Sequence, residues 1–265
     1  MSTDSASGSA TPYRRLSEPA YRGNFISRYD HLRPTPPRDL FELLASLAPT
    51  QPPELVVDLG AGTGISTVPW AAHATQVIGI DVNHEMLRVA RQAPGVEYRV
   101  ASAQQTGLPS GCADVVTCAQ SLHWMPYQPT IAEVARLLRP GGCFAAYDYD
   151  WPPLIDPEAD AVFLQLIEAA GVDPNRPEKA SHVERLAASG RFRFVREVFL
   201  HAREVVGVDH LAELPLAFGP VARKLDEGVS PRALGLDRLQ HVLRRRLDAA
   251  ANTVWWSYRV RIAIK

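Results

Sequence analysis

Chemistry in this chain concentrates at a few short segments. The most informative is Val56-Val57-Asp58-Leu59-Gly60-Ala61-Gly62-Thr63-Gly64. A short apolar run enters a turn of small residues. Glycine there permits positive φ and lets backbone N–H groups approach a ligand closely. A second apolar run, Val77-Ile78-Gly79-Ile80, ends in Asp81. A carboxylate at such a strand end can accept hydrogen bonds from both hydroxyls of a ribose. The plainer alternative is a tight turn followed by a helix-capping aspartate. A dinucleotide fits poorly. The GxGxxG spacing requires glycine three residues after Gly62, where Ile65 stands. Asp58, just before the turn, would also meet a pyrophosphate with like charge.

Three further segments carry reactive or binding groups. Ala119-Gln120-Ser121-Leu122-His123-Trp124 follows another apolar run. Histidine titrates near neutrality, so His123 can deprotonate a hydroxyl or orient an acceptor; packing beside a ligand is the alternative. Tyr29-Asp30-His31-Leu32-Arg33-Pro34 offers a second candidate base, His31, and an arginine able to pair with a carboxylate. Tyr147-Asp148-Tyr149-Asp150-Trp151 places two carboxylates among aromatics. They can hold an amine, or simply cap a helix at a solvated strand end. Asp58 suits a ligand of positive character, and S-adenosylmethionine carries both a sulfonium and an ammonium.

On these residues the chain resembles the class I S-adenosylmethionine-dependent methyltransferases over about residues 20–150. Asp58, Gly60, Ala61, Gly62 and Gly64 match the family's first motif. Asp81 matches its ribose acid, with Val82 and Met86 beside the adenine. Ser102, Ala103 and Gln104 are similar to the segment that contacts adenine, although many relatives have Asp where this chain has Ser102. Leu137-Leu138-Arg139-Pro140-Gly141-Gly142 resembles the turn before the fifth strand. The segments at 119–124 and 21–34 resemble a subgroup that includes trans-aconitate-type and related small-acid methyltransferases. The resemblance implies that Ala119, Gln120 and Trp124 face the methionine end of S-adenosylmethionine, and that Tyr29 covers the sulfonium. It implies that Arg33 pairs with a carboxylate of cofactor or substrate. Tyr21, His123, Tyr147, Asp148, Tyr149 and Trp151 are then the candidate substrate contacts. No metal is implied.

These residues need a scaffold that gathers strand ends. Val96–Val100, Val115–Ala119 and Cys143–Tyr147 add three more apolar runs to the two already named. Helical spacing lies between several of them, as at Ile131, Val134, Leu137 and Leu138, and before them at Leu40, Leu43, Leu44 and Leu47. Strands buried on both faces and separated by helices predict an α/β, Rossmann-like, doubly wound sheet with ligands at the carboxyl ends. The resemblance implies seven strands in the order 3-2-1-4-5-7-6 with strand 7 antiparallel. Strand 6 falls at 193–206 and strand 7 at 254–264. Residues 1–12 read as a disordered tail and 13–36 as an N-terminal lid. The methyltransferase domain covers 37–265, with helical cap segments at about 151–190 and 208–250. A helix is expected to start near Ile65.

Composition narrows the partners. The chain has 265 residues and a formal net charge of −1. A protein that grips nucleic acid usually carries a basic excess. Only Lys179, Lys224 and Lys265 are lysines, and the other 25 basic residues are arginines. Arg244-Arg245-Arg246 reads as a solvated helix face. Three cysteines without CxxC spacing support neither a disulfide framework nor a zinc site. No leader-like or bilayer-length apolar run is visible, so a cytoplasmic location is expected, with no membrane partner. The resemblance therefore implies methyl transfer to a small molecule, at a hydroxyl or carboxylate oxygen, with secondary metabolism as the expected setting. The alternatives are N- or C-methylation, a non-catalytic binder of the same cofactor, or a nicotinamide-dependent oxidoreductase.

Overall fold

The computed structural model describes residues 24–173 and 182–265. The tail at 1–12, the first part of the lid, Tyr21 and cap residues 174–181 lie outside them. Seven strands form one sheet in the order β3-β2-β1-β4-β5-β7-β6. They are β1 (Leu55–Leu59), β2 (Gln76–Asp81), β3 (Val96–Val100), β4 (Ala113–Ala119), β5 (Leu138–Tyr149), β6 (Phe194–Val206) and β7 (Asn252–Ile264). The first five run parallel, and β7 lies antiparallel between β5 and β6.

The period of two along each strand explains the double core. Val56 and Val57 are both fully buried yet belong to different apolar clusters. Val56 packs with Val77 and Val115 on one face, and Val57 with Ile78 and Val116 on the other. Two helices before the sheet, α1 (Asn24–Leu32) and α2 (Arg38–Ser46), bury Leu32, Leu40, Phe41 and Leu44 on the first face. On the second face lies α4 (Tyr127–Leu137), which buries Ile131, Val134 and Leu137. The short helix α3 (His84–Arg88) joins β2 to β3. The cap supplies α5 (Pro157–Ala169), α6 (His182–Ala188), α7 (Val208–Glu213), α8 (Gly219–Asp226) and α9 (Leu236–Arg246).

Several sequence expectations shift. No helix starts at Ile65. The turn runs on to a 3-10 segment, Val68–Ala72, with Pro69 in its first turn. Leu47 is the α2 C-cap and is exposed, so the apolar stripe ends at Leu44. Leu138 is extended rather than helical (ψ 138°) and opens β5. The register then shifts between the Ala113–Leu138 and Val115–Cys143 pairs, so the Pro-Gly-Gly segment is an irregularity inside the strand. The 208–250 region is interrupted at Pro215 and Gly219-Pro220, and again at Gly228 and Gly235, both at positive φ. The arginines at the end of α9 pair with Asp209, Glu158 and Asp156, tying that helix to α7 and α5.

Candidate active site

The site is built where β1, β2 and β4 end side by side. After β1 the chain turns sharply: Gly60, Gly62 and Gly64 sit at φ 78°, 55° and 82°. Gly60 and Ala61 donate their N–H groups to the carbonyl of Ile80 on β2, at 2.7 and 3.1 Å. A Cβ at Gly60 would meet Ser121 Cβ at 2.5 Å. A Cβ at Gly64 would run into the Tyr98 hydroxyl, so Gly64 serves packing of the turn. At Gly62 the nearest atom to a Cβ is Met86 Cε, at 3.8 Å. Its missing side chain therefore leaves open space.

That space is a cleft of about 680 Å³. Asp81 lines it, with its carboxylate held in place by backbone donors. Gly62 N donates to Oδ2 at 2.9 Å and Asn83 N donates to Oδ1 at 2.8 Å. Burial pushes the Asp81 carboxyl above the usual carboxylate range. Asn83 also caps α3, accepting from Glu85 N and Met86 N, and this brings Met86 to the wall. Val82, Ala101, Ala103, Trp124 and Met125 add apolar lining.

A second chamber of about 450 Å³ shares Tyr29, Gly60, Gly62, Ala119 and Gln120 with the first. Gln120 is the one non-glycine residue at positive φ (52°) among the described residues. Its backbone N donates to Tyr147 O at 2.9 Å and its Nε2 to Tyr149 O at 3.2 Å. These bonds hold a conformation that costs an L-residue roughly 1–2 kcal/mol. Arg33 lines this chamber from just beyond α1. Its Nη1 donates to the Tyr149 hydroxyl at 2.6 Å and its Nη2 to Ala217 O at 3.1 Å. The guanidinium carbon lies 4.5 Å from the Tyr29 ring centre and 5.2 Å from that of Trp151. Arg33 thus ties the described part of the lid to the cap.

Some sequence candidates lie elsewhere. Asp58 was expected to face a ligand's positive charge. It is fully buried and lines neither chamber. Ser66 and Thr67 donate hydroxyls to its Oδ2 at 2.9 and 2.7 Å, and Thr117 to Oδ1 at 2.7 Å. Three hydroxyls compensate its desolvation, and its work is to bind the turn to β4. Burial still raises its carboxyl. Tyr147 is 1% exposed on the core face, so it is placed to pack rather than to touch substrate. Trp151 packs against Phe163, Phe218 and Trp256. Asp148 is bound to Arg261 at 2.6 Å, which leaves little for an amine. His31 meets His210 of the cap, ring centres 6.1 Å apart, and lines neither chamber. Ser102 and Gln104 flank Ala103 without lining the cleft. His123 also stands behind the lining, 14% exposed, with Nδ1 3.8 Å from Asp148 Oδ1.

Sequence reasoning passed over Asn83, Ser121, Met125 and Thr63. Asn83 was visible as a cap, two residues after Asp81. Ser121 Oγ donates to Leu59 O at 2.7 Å, a pairing of two strand ends that no local pattern announces. Thr63 lines the second chamber, and its buried hydroxyl has no protein partner.

Residues 57–146 match a family model described as a methyltransferase domain. A putative methyltransferase of Dictyostelium discoideum is 33% identical over 127 residues, 48% of each chain. An uncharacterized methyltransferase of Mycobacterium bovis is 36% identical over 121 residues, 45% of this chain and 48% of the relative. The chain spans about half the length of the curated relatives it matches. Among solved structures, a putative type II methyltransferase from Anaeromyxobacter dehalogenans superposes with a TM-score of 0.70 at 29% identity, over 88% of this chain and 97% of that one. The matched segment takes in all three strand ends that floor the cleft, and together with the sheet order it is similar to the class I S-adenosylmethionine-dependent methyltransferases.

Proposed function

We propose that this protein transfers a methyl group from S-adenosylmethionine to an oxygen, hydroxyl or carboxylate, of a small molecule. One observation carries the proposal: a two-chambered cleft whose floor combines the open face of Gly62 with the backbone-held carboxylate of Asp81. A nucleoside bearing positive charge fits these residues. Asp81 would accept from the ribose hydroxyls, Val82, Met86 and Ala103 would flank the base, and Ala119 and Gln120 would lie along the amino-acid arm. Arg33 would pair with the arm's carboxylate, under Tyr29. When bound, S-adenosylmethionine supplies an electrophilic methyl on a sulfonium.

The chain's own part is alignment, exclusion of water and, for a hydroxyl, custody of one proton. Tyr29 lines both chambers, and Trp124 and Met125 add apolar walls to the first, which would help to keep water from the bound cofactor. Arg33, latched to Ala217 and Tyr149, keeps α1 closed over the shared region of the two chambers. For a hydroxyl acceptor, His123, set just behind the lining, would be the residue to receive the proton. A carboxylate acceptor needs no base. Among the lining residues Asp81 is the sole carboxylate, so an ammonium acceptor would find no second anion.

Calorimetry with S-adenosylhomocysteine tests the cofactor reading. Binding by the wild type and its loss in Asp81→Ala are expected; no binding to the wild type rejects it. Turnover on a panel of hydroxy acids, phenols and amines then tests the acceptor, with amines expected to be inert.

A further inference from the structure

The outermost strand beyond β7 is β6, and among the described residues no strand pairs with its free side. It runs from Phe194 to Val206, a long row of backbone N–H and C=O groups open to another strand. Phe194, Phe199 and Val205 on it are exposed apolar side chains, as is Trp255 beside it on β7. Arg196 and Arg203 are also exposed and make no ion pair among the described residues. Glu204 Oε2 accepts from Trp256 Nε1 at 2.9 Å. Burial raises the Glu204 carboxyl, and no cation stands at it among the described residues. Glu197 Oε2 accepts from Arg261 Nε at 2.9 Å, and a carboxylate has lone pairs for more than one donor.

Charges on an edge strand ordinarily keep other strands away. Their order here favours one partner. The strand reads Phe194-Val195-Arg196-Glu197-Val198-Phe199-Leu200-His201-Ala202-Arg203-Glu204-Val205-Val206. Laid antiparallel against itself about Leu200, it sets Arg196 opposite Glu204 and Glu197 opposite Arg203. Val195 then faces Val205, Phe194 faces Val206, Val198 faces Ala202 and Phe199 faces His201. A two-fold antiparallel pair can match only residues an even number apart, because opposed residues share a face and a hydrogen-bonding side. The neighbouring registers are therefore centred on Phe199 or His201. They put Arg203 opposite Val195 or Phe199, and Glu204 opposite Phe194 or Val198. Neither keeps an arginine opposite a glutamate.

We propose that two copies of this chain pair through β6, antiparallel about a two-fold axis at Leu200, and so join their seven-stranded sheets into one. A two-fold axis makes each contact twice. Arg196 meets the partner's half-buried Glu204, which gains the cation it lacks. Arg203 joins the partner's Glu197 and extends its pair with Arg261. The backbone ladder and the facing apolar side chains supply attraction, while the charged pairs select register and direction. The same charges repel strands of other patterns, which restricts a long edge to its own kind. Strands β5 and β7 separate this surface from the strand ends that floor the cleft, so the proposal stands apart from the methyl-transfer reading.

Sedimentation velocity on the full chain tests the association. The wild type is expected at twice the chain's 29.1 kDa in the micromolar range. Arg203→Glu sets like charges opposite the partner's Glu197, twice per dimer, and should raise the dissociation constant by at least about 10²-fold. Arg196→Glu should do the same against the partner's Glu204. Both arginines are exposed, so thermal melting should show folded monomers. Cysteine cross-linking reads the register. Phe199→Cys and His201→Cys are each expected to cross-link poorly alone, because each then lies two residues out of step with its own copy. Mixed and oxidised, the two variants should form a disulfide-linked dimer, since directly opposed residues stand roughly 4.5–5.5 Å apart at Cα. A wild type that stays monomeric across the micromolar range overturns the proposal. So does a dimer that both glutamate variants leave intact, or a mixture that cross-links no better than either cysteine variant alone.

Discussion

Gly60 and Gly62 occupy the same turn with nearly opposite duties, and alanine at each should separate them. Both have positive φ, at 78° and 55°, so either alanine costs roughly 1–2 kcal/mol in conformation. At Gly62 nothing further is lost, because the new Cβ finds only Met86 Cε at 3.8 Å. With about 2–4 °C of melting temperature per kcal/mol in a domain near this size, Gly62→Ala should lower Tm by about 2–8 °C. At Gly60 the Cβ falls 2.5 Å from Ser121 Cβ and 2.9 Å from its Oγ. Ser121 must move, which endangers its 2.7 Å bond to Leu59 O. A buried carbonyl left unpaired adds roughly 1–3 kcal/mol, for a total of about 2–5 kcal/mol and a Tm loss of about 4–20 °C. Binding should show the reverse order. The Gly62 Cβ stands in the space proposed for the cofactor, so Gly62→Ala should abolish S-adenosylhomocysteine binding while folding survives. Differential scanning calorimetry and titration calorimetry on both variants supply the readout. The reasoning is refuted if Gly62→Ala binds as the wild type does, or if both variants melt together.

Other outcomes follow from single contacts. Asp81 must be ionised to accept ribose hydroxyls, and burial raises its carboxyl above 3.8. Affinity for S-adenosylhomocysteine should therefore weaken as pH falls through that raised value, which a calorimetric pH series would show. The fully buried Asp58 is raised in the same way. Its stability contribution is thus fully present below 3.8 and lost as pH rises through its folded value, so Asp58→Asn should flatten that part of the stability–pH curve. Glu133 has the opposite sign. Arg136 and Thr106 outweigh burial and hold it at about 2 against an ordinary 4.5. It should contribute about 3 kcal/mol above pH 4.5, lost as pH falls toward 2, and Glu133→Gln should erase that difference in denaturant titrations at pH 7. Arg33→Ala removes three hydrogen bonds, two to Ala217 O and one to the Tyr149 hydroxyl, and the stacking that joins the end of α1 to the cap. Faster proteolysis at 208–250 and weaker S-adenosylhomocysteine binding are expected together; unchanged cleavage would mean the latch is idle.

Local pattern carried much of this. Continuous apolar strands needed helices on both faces, so the doubly wound sheet was legible in the strand–helix alternation. The strand order came from the family resemblance and agrees with the sheet observed. Glycine spacing and the acid that ends β2 marked the two strand ends that meet at the cleft, because backbone conformation and strand termination are local properties. Side-chain direction was harder. Asp58 sits one residue before Leu59 in a strand that is fully buried from Val56 onward, and its alternation sends it inward to three hydroxyls. The sequence shows an acid beside a ligand loop, but not which side of the sheet it faces.

By itself, then, the sequence determined the sheet class, the glycine turn and the acidic strand end, since each depends on residues within a few positions of one another. The tertiary structure decided which polar groups reach the cleft and which are consumed by partners. Arg33 meets Ala217, Ser121 meets Leu59, and Asp148 meets Arg261 across separations of 184, 62 and 113 residues. A carboxylate or a guanidinium has the same letter whether it is free for a ligand or already satisfied, and only the packed fold brings its distant partner within bonding distance.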